Sequence, residues 1–196
     1  MGNKTSTQIK PGSAYYITYP GYEAKEDSSG LTFPTGHAGV LMVDNNGTTK
    51  YFEYGRYNQN DPKKYGVSST RGIVRKLSLP NFNGSNSDQI WNTLKAAELQ
   101  NAGNKLTVSE IPDFDFNKGM EYVNTYSNDD NRAPYNLLLR NCGSFVHNIM
   151  KAGYNGESKL PTVIWKSPVN YSEEYEKAGF QTNTFKNGGH LKTIKR

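Results

Sequence analysis

The chain has 196 residues, and 23 Lys and Arg against 18 Asp and Glu leave a net charge of +5 at pH 7. This length favours a single domain, 1–196, and 14 Tyr, 8 Phe and 2 Trp indicate a packed core rich in tyrosine. No apolar run approaches the ~18 residues of a membrane-spanning helix, so no integral membrane segment is expected. With one Cys and three dispersed His, the sequence predicts no disulfide framework, no metal and no cofactor.

Strand patterns occupy the first 80 residues. Residues 14–19 are rich in β-formers, 37–44 form an apolar run of strand length, and 72–80 alternate between apolar and polar side chains. The run over 37–44 is followed by Asn45-Asn46-Gly47, a strong turn signal, and then by a partner strand over 49–57. The pattern predicts an antiparallel hairpin inside a small antiparallel sheet.

Helical patterns follow in the second half of the chain. Helices are predicted from Ser87 to a stop at Gly103, over 115–126 and over 142–152, with a short strand at 105–111. The leucine-rich segment 135–139 is interpreted as a buried strand or an extended entry to the last of these helices. Beyond residue 156 the sequence predicts only a short helix, near 172–178. Strands followed by helices predict an α+β fold.

Cys142 is the strongest candidate for chemistry. It lies where an extended segment enters a predicted helix, and the amide groups and dipole of a helix N-terminus favour a thiolate. A thiolate nucleophile requires an imidazole nearby. His37 begins a predicted strand, which holds a base rigidly. His147 points away from Cys142 on the same helix, and His190 lies in a glycine-rich tail. The alternative for Cys142 is a buried structural cysteine.

A polar residue is expected to orient the imidazole, and the hairpin register decides which one. If the loop has three residues, Gly39 pairs with Glu53, and Glu53 then shares a face with His37. If the loop has two residues, the register shifts by one and Tyr54 faces His37 instead. Glu53 is preferred, because a carboxylate stabilises an imidazolium. Tyr15 or Tyr16, on the first strand, is a further candidate hydrogen-bond donor.

These residues occur in the order of a known pattern. A His at a strand start, a polar residue on the next strand, and the string Asn-Cys-Gly-Ser-Phe-Val over 141–146 resemble the circularly permuted branch of the NlpC/P60 superfamily of papain-like folds. The branch includes lecithin:retinol acyltransferase-like proteins and bacterial amidases and peptidases that cut peptidoglycan. The stretch 37–57 is most similar to effector toxins of the type VI secretion system. The resemblance covers about 14–155, leaving 156–196 as a C-terminal extension without a counterpart.

The resemblance implies a papain-like fold and a cysteine amidase or endopeptidase. Cys142 is then the nucleophile, His37 the base and Glu53 the orienting residue, at a position where many relatives carry His. The implied substrate is the peptidoglycan stem peptide, and the implied partner is a cognate immunity protein. The sequence shows no Sec signal peptide, so the expected route is signal-peptide-independent secretion followed by action in the target-cell periplasm.

Other functions remain open at this point. The same Cys–His pair serves lipid acyltransferases and phospholipases, and a protease or deamidase acting on host proteins is a further alternative. A non-catalytic binding module with a packed Cys142 belongs to a different class. Nucleic acid is not expected as a partner, because the Lys and Arg residues are scattered along the chain and no phosphate-binding loop is present.

Overall fold

Seven strands form one antiparallel sheet. From one edge to the other they are Gly189–Thr193 (β11), Thr182–Lys186 (β10), Lys105–Ile111 (β9), Ser13–Tyr19 (β1), His37–Val43 (β4), Thr49–Gly55 (β5) and Ile73–Leu77 (β8). The computed structural model describes residues 8–22, 24–25, 32–33, 36–58, 61–65, 72–98, 105–157, 159–163, 167–186 and 189–193. The elements are β1 Ser13–Tyr19, β2 Ala24–Lys25, β3 Thr32–Phe33, β4 His37–Val43, β5 Thr49–Gly55, β6 Tyr57–Asn58, β7 Asp61–Tyr65, β8 Ile73–Leu77, α1 Ser87–Glu98, β9 Lys105–Ile111, α2 Phe116–Asn128, α3 Cys142–Gly153, α4 Pro168–Lys177, β10 Thr182–Lys186 and β11 Gly189–Thr193. Two short hairpins, β2-β3 and β6-β7, lie outside the main sheet.

The predicted α+β fold is confirmed. An antiparallel sheet packs against α3, the helix that carries Cys142 at its first position, which is the arrangement of a papain-like fold. The predicted strands over 14–19 and 37–44 coincide with β1 and β4. The stop predicted at Gly103 lies outside the described residues. Among the described residues, no helix is long and apolar enough to cross a membrane.

The turn between β4 and β5 sets the register of the two strands that carry His37 and Glu53. The Asp44 carboxylate accepts hydrogen bonds from the backbone N–H of Asn46 at 2.8 Å and of Thr48 at 2.7 Å. Gly47 has a φ of +85°, which a residue with a side chain rarely adopts. The loop therefore has three residues, and Gly39 pairs with Glu53.

The two faces of the sheet bury different sets of side chains, because alternate residues of a strand point to opposite faces. On β1, Tyr16 faces the cluster that includes Phe145 and Ile149 of α3. Its neighbour Tyr15 faces the other cluster and meets Trp91 of α1 edge-to-face, with 5.6 Å between ring centroids. The strands are consequently buried on both faces, and their central residues read as nearly continuous apolar and aromatic runs.

The segment after residue 156 contributes to the same sheet. Helix α4 begins after the N-cap Ser167, whose Oγ accepts a hydrogen bond from the Asn170 N–H at 3.2 Å. It packs against β1 and α3, and β10 then pairs with β9 along its length. Of these elements only the helix was predicted, near 172–178, because the short elements of this segment carry weak periodic signals.

The interpretation of 135–139 as a buried strand is wrong. A bridge between Asn136 and Arg140 closes a turn, and the Asn136 side chain accepts from the N–H of Leu138 at 2.9 Å and of Leu139 at 3.0 Å. Leu138 is 71% exposed and Leu139 57% exposed. The apolar composition suggested burial, but the capacity of Asn136 to bond the backbone two and three residues ahead produces a turn.

Gly39→Ala is expected to destabilise the hairpin that carries His37. A Cβ at this position would collide with the Tyr51 hydroxyl, which bonds the Tyr19 hydroxyl at 2.8 Å beneath His37. We expect the free energy of unfolding to fall by about 1–3 kcal/mol, measured by urea denaturation followed by circular dichroism. Lys50→Ala, at an exposed position of the same hairpin, is the control and should change the midpoint little. Equal stability of the two variants would contradict the expectation.

Candidate active site

The first turn of α3 is built to present Cys142. The N-cap Asn141 accepts a hydrogen bond from the Ser144 N–H at 3.0 Å, and the Ser144 Oγ accepts one from the Asn141 N–H at 2.9 Å. This reciprocal capping box satisfies amide groups that a helix N-terminus otherwise leaves unpaired. The Asn141 amide also donates to the Leu137 carbonyl at 2.7 Å, which ties the preceding turn to the helix. Cys142 is therefore fixed at the positive end of the helix dipole.

His37, the first residue of β4, is buried with its ring surrounded by aromatic side chains. Its ring centroid lies 6.0 Å from that of Tyr19, in a stacked arrangement, and 5.4 Å from that of Tyr22. Its Nε2 lies 2.9 Å from Glu53 Oε2 and 3.0 Å from the Tyr57 hydroxyl. Because Nε2 is engaged on this side, we assign the hydrogen bond between His37 and Cys142 to Nδ1.

Glu53 has no exposed side-chain surface, and it is bound by three partners. Arg75 Nη2 donates to both carboxylate oxygens, at 3.0 Å to Oε1 and 2.9 Å to Oε2. The Tyr57 hydroxyl donates to Oε2 at 2.5 Å, and His37 is the third partner. The guanidinium of Arg75 also lies over the Tyr57 ring, 5.0 Å from its centroid.

Arg75 and Tyr57 belong to this site although sequence reasoning missed them. Arg75 is the cross-strand partner of Glu53 in the β5-β8 pairing, and the alternation over 72–80 was the signal that could have placed it there. Tyr57 ends the predicted strand over 49–57, and its spacing of four residues from Glu53 was the signal that could have placed the two side chains on one face; in the structure Tyr57 begins β6.

The charges of the site favour a thiolate–imidazolium pair. Burial acts to lower the pKa of His37, but the charges of Cys142 and Glu53 outweigh burial and raise this pKa to about 10. Burial acts to raise the pKa of the Cys142 thiol, whereas His37 and hydrogen bonds from the Ala38 N–H and the Tyr135 hydroxyl lower it below its ordinary value. Burial opposes ionisation of Glu53 as well, yet His37 and Arg75 hold its pKa well below the usual range.

Two tyrosine hydroxyls lie beside Cys142. Tyr135 accepts a hydrogen bond from the Cys142 backbone N–H and donates to its sulfur. The Tyr16 hydroxyl is fully buried, has no hydrogen-bond partner among the described residues, and lies 3.0 Å from where a Cβ on Gly143 would stand. Gly143 thus permits the close approach of Tyr16 to the start of α3. Of the two candidates on β1, Tyr16 is at the site, whereas the Tyr15 hydroxyl accepts from the Lys10 N–H on the other face.

The remaining candidates from the sequence lie elsewhere. Tyr54 faces away from His37 and packs against Phe145, with 5.5 Å between ring centroids. His147 packs beneath α4, and its Nδ1 lies 2.8 Å from the Tyr175 hydroxyl. The side chain of His190 lies outside the described residues. In the part of the chain that the structure describes, no group of three or more His, Cys, Asp or Glu residues could hold a metal ion.

Comparisons with known proteins agree with this fold. The family model described as "Type VI secretion system effector TseH-like" matches residues 14–158. The chain belongs to this family of type VI secretion effectors. The crystal structure of the type VI secretion system effector TseH is similar with a TM-score of 0.67 and 22% identity, over 93% of this chain and 97% of that one. At this identity the similarity shows the shared fold, and its coverage includes most of 156–196. No protein of curated function matches the chain.

Alkylation of Cys142 is expected to be fast below the ordinary pKa of a thiol. Because its pKa is lowered, the thiolate persists as pH falls and is lost only below that lowered pKa; above a pH of about 10, His37 loses its proton. The rate with iodoacetamide should therefore keep its plateau to a pH below the ordinary pKa of a cysteine thiol, which is about 8.5. Cys142 is the only Cys in the chain, so total labelling by mass spectrometry reports it alone. His37→Gln should return the profile to that of an ordinary thiol.

Proposed function

We propose that this effector is a cysteine hydrolase that cleaves an amide bond. The observation that carries the proposal is the continuous buried chain from Cys142 through His37 and Glu53 to Arg75, which supplies a nucleophile, a base and an orienting group in hydrogen-bond contact. The order of these residues also supports membership of the permuted NlpC/P60 branch. Cys142, His37 and Glu53 are the residues that we assign to the reaction.

The reaction follows from the protonation states of the pair. The Cys142 thiolate attacks the carbonyl carbon, and a tetrahedral oxyanion forms. His37, as the imidazolium, donates its proton to the leaving amine, which departs and leaves a thioester on Cys142. The neutral His37 then accepts a proton from water, and the resulting hydroxide cleaves the thioester to release the acid and restore the thiolate. Glu53 holds Nε2 of His37 so that Nδ1 faces the sulfur throughout.

The oxyanion requires donors near the start of α3. We assign the Cys142 backbone N–H as one donor and the Tyr16 hydroxyl as the second, because Tyr16 is buried, close to Gly143 and has no other described partner. Burial and the charge of Cys142 raise the pKa of Tyr16 well above its ordinary value, so the hydroxyl keeps its proton. Tyr135 now occupies the acceptor position on the Cys142 N–H, and a substrate carbonyl would replace it there.

The substrate that we propose is the stem peptide of peptidoglycan, cut in the periplasm of the target cell. Support comes from membership of the type VI effector family and from the resemblance of the site to amidases and peptidases of the permuted branch. Peptidoglycan carries free carboxylates, and a chain with a net charge of +5 is attracted to them. An effector of this kind is toxic to related cells, so we also propose a cognate immunity protein as its partner.

A lipid substrate is the second candidate, and one observation favours it. Leu138 and Leu139 project from the turn that leads directly into Cys142, where an acyl chain or membrane surface could meet them. A lipid acyltransferase or phospholipase would use the same thiolate and imidazole. Fragments from purified peptidoglycan support the first candidate, whereas fatty acid released from phospholipid vesicles alone supports the second.

Cys142→Ala is expected to abolish hydrolysis of purified peptidoglycan. The substitution removes the nucleophile while leaving the capping box of Asn141 and Ser144 in place, so the fold should persist. Fragments released by the wild type and absent with the variant, identified by mass spectrometry, would name the bond that is cut. Activity of the variant within tenfold of the wild type would contradict the role of Cys142.

Tyr16→Phe and Tyr15→Phe form a matched pair on adjacent positions of β1. Removing the Tyr16 hydroxyl should lower kcat by about 10²-fold, because one donor to the oxyanion is lost. Tyr15→Phe removes a hydroxyl that contacts the Lys10 N–H, on the opposite face of the sheet from Cys142, and should leave kcat nearly unchanged. Equal kcat values for the two variants would remove Tyr16 from the mechanism.

A further inference from the structure

A cavity lies beside α3, on the side of the helix opposite Cys142. It has a volume of about 580 Å³ and opens between α2, α3 and the turn at 136–140. Nine residues separate Cys142 from Lys151, which places their side chains about 180° apart around α3 and about 13 Å apart along it. The residues that decide its chemistry are Tyr126, Arg132, Leu139, Arg140, Phe145 and Lys151.

The polar part of this cavity is cationic. Arg132, Arg140 and Lys151 line it, against a single carboxylate from Asp129. Among the described residues, no acidic side chain lies within ion-pair distance of any of these three cations. Like charges around a concave surface raise the local positive potential, and an anion that enters the cavity relieves their repulsion. The cavity is therefore electrostatically complementary to an anion.

The cations differ in how far they are already engaged. Arg132 uses one guanidinium nitrogen on the Tyr126, Ser127 and Asp129 carbonyls and another on the Gly72 carbonyl at 2.8 Å, so it mainly shapes the wall. Among the described residues, Arg140 donates only its Nε, to the Pro134 carbonyl at 3.1 Å, which orients the guanidinium and leaves its terminal nitrogens available to a ligand. Lys151 is exposed on α3. Arg140 and Lys151 are thus the groups that can bind an anion.

The apolar part of the cavity favours an anionic group that is attached to an aliphatic chain. Phe145 and Val163 form buried parts of the wall, and Leu139 stands at the edge with more than half of its surface exposed. A carboxylate next to an aliphatic group, as in the side chains and termini of a peptide, fits both parts. A bare inorganic anion would leave Leu139 in water.

We propose that this basic pocket, lined by Arg140 and Lys151, binds a free carboxylate of the peptide substrate at a position remote from the bond that Cys142 attacks. The inference rests on the proposed function, because it assigns the pocket to the same substrate. The turn at 136–140 connects the two sites: Leu139 and Arg140 border the pocket, and Asn141 caps the helix that presents Cys142. The pocket selects substrates that carry a carboxylate and positions them along α3.

The test uses Cys142→Ala protein and soluble muropeptides released from peptidoglycan by a muramidase, with binding measured by calorimetry. The same muropeptides, with their carboxylates converted to amides, serve as the neutral probe. We expect Arg140→Gln/Lys151→Gln, in the Cys142→Ala background, to bind the native muropeptides at least about tenfold more weakly. The amidated muropeptides should bind weakly and equally to both proteins.

A matched control keeps the net charge equal. Lys118→Gln/Lys177→Gln removes two exposed cations that lie outside the pocket, near Asp115 and Glu174 respectively. This pair should bind muropeptides as the parent does. In the active protein, the Arg140 and Lys151 changes should raise KM with kcat within about twofold, whereas the control pair should change neither. Both pocket residues are exposed or near the surface, and Lys151→Gln alone provides a milder variant.

The outcomes distinguish failure of the pocket proposal from failure of the proposed function. If the wild type cleaves peptidoglycan and the Arg140→Gln/Lys151→Gln protein cleaves it with an unchanged KM, the pocket proposal is wrong and the proposed function stands. If muropeptides bind through Arg140 and Lys151 but the wild type cleaves nothing, the pocket stands and the proposed function fails. Absence of binding, or equal affinity for native and amidated muropeptides, overturns the pocket proposal.

Discussion

The buried carboxylate of Glu53 is the interaction on which the site depends. Removing a carboxylate from water is costly, and only a close counter-charge with further hydrogen bonds compensates for the loss of hydration. Arg75, His37 and Tyr57 supply these contacts from β8, β4 and β6. Four strands are thereby tied together around the Glu53 carboxylate. These contacts also fix the orientation of the His37 imidazole. The geometry of the thiol follows from the orientation of that ring.

The tyrosine-rich core provides the rigid support for this arrangement. Tyr19 and Tyr22 confine the His37 ring, and Tyr16, on the same strand as Tyr19, reaches the first turn of α3. Aromatic side chains suit this purpose, because they fill large volumes with few rotatable bonds while each tyrosine keeps one polar atom for a specific contact. The sheet thus places tyrosine hydroxyl groups beside Cys142 and His37.

Two different sides of helix α3 belong to the proposed sites. Its N-terminus presents Cys142 to His37, while its far side, with Phe145 and Lys151, forms a wall of the basic pocket. The turn at 136–140 separates these regions and exposes two leucines between them. In the proposed function, a substrate with both a scissile amide and a distant carboxylate contacts both sides of this rigid helix. Positioning by remote contacts is a common means of orienting a reacting bond.

The sequence by itself determined the α+β fold, the helix that begins at Cys142, and a hairpin over 37–57 that brings either Glu53 or Tyr54 to His37. These features depend on local signals: a capping residue, a three-residue turn and the alternation of strand side chains. Tertiary structure decided the rest, because Arg75, Tyr16 and the Arg140–Lys151 pocket come together only when distant segments pack. The exposure of Leu138 was decided locally by Asn136, whose turn geometry outweighed an apolar composition that suggested burial.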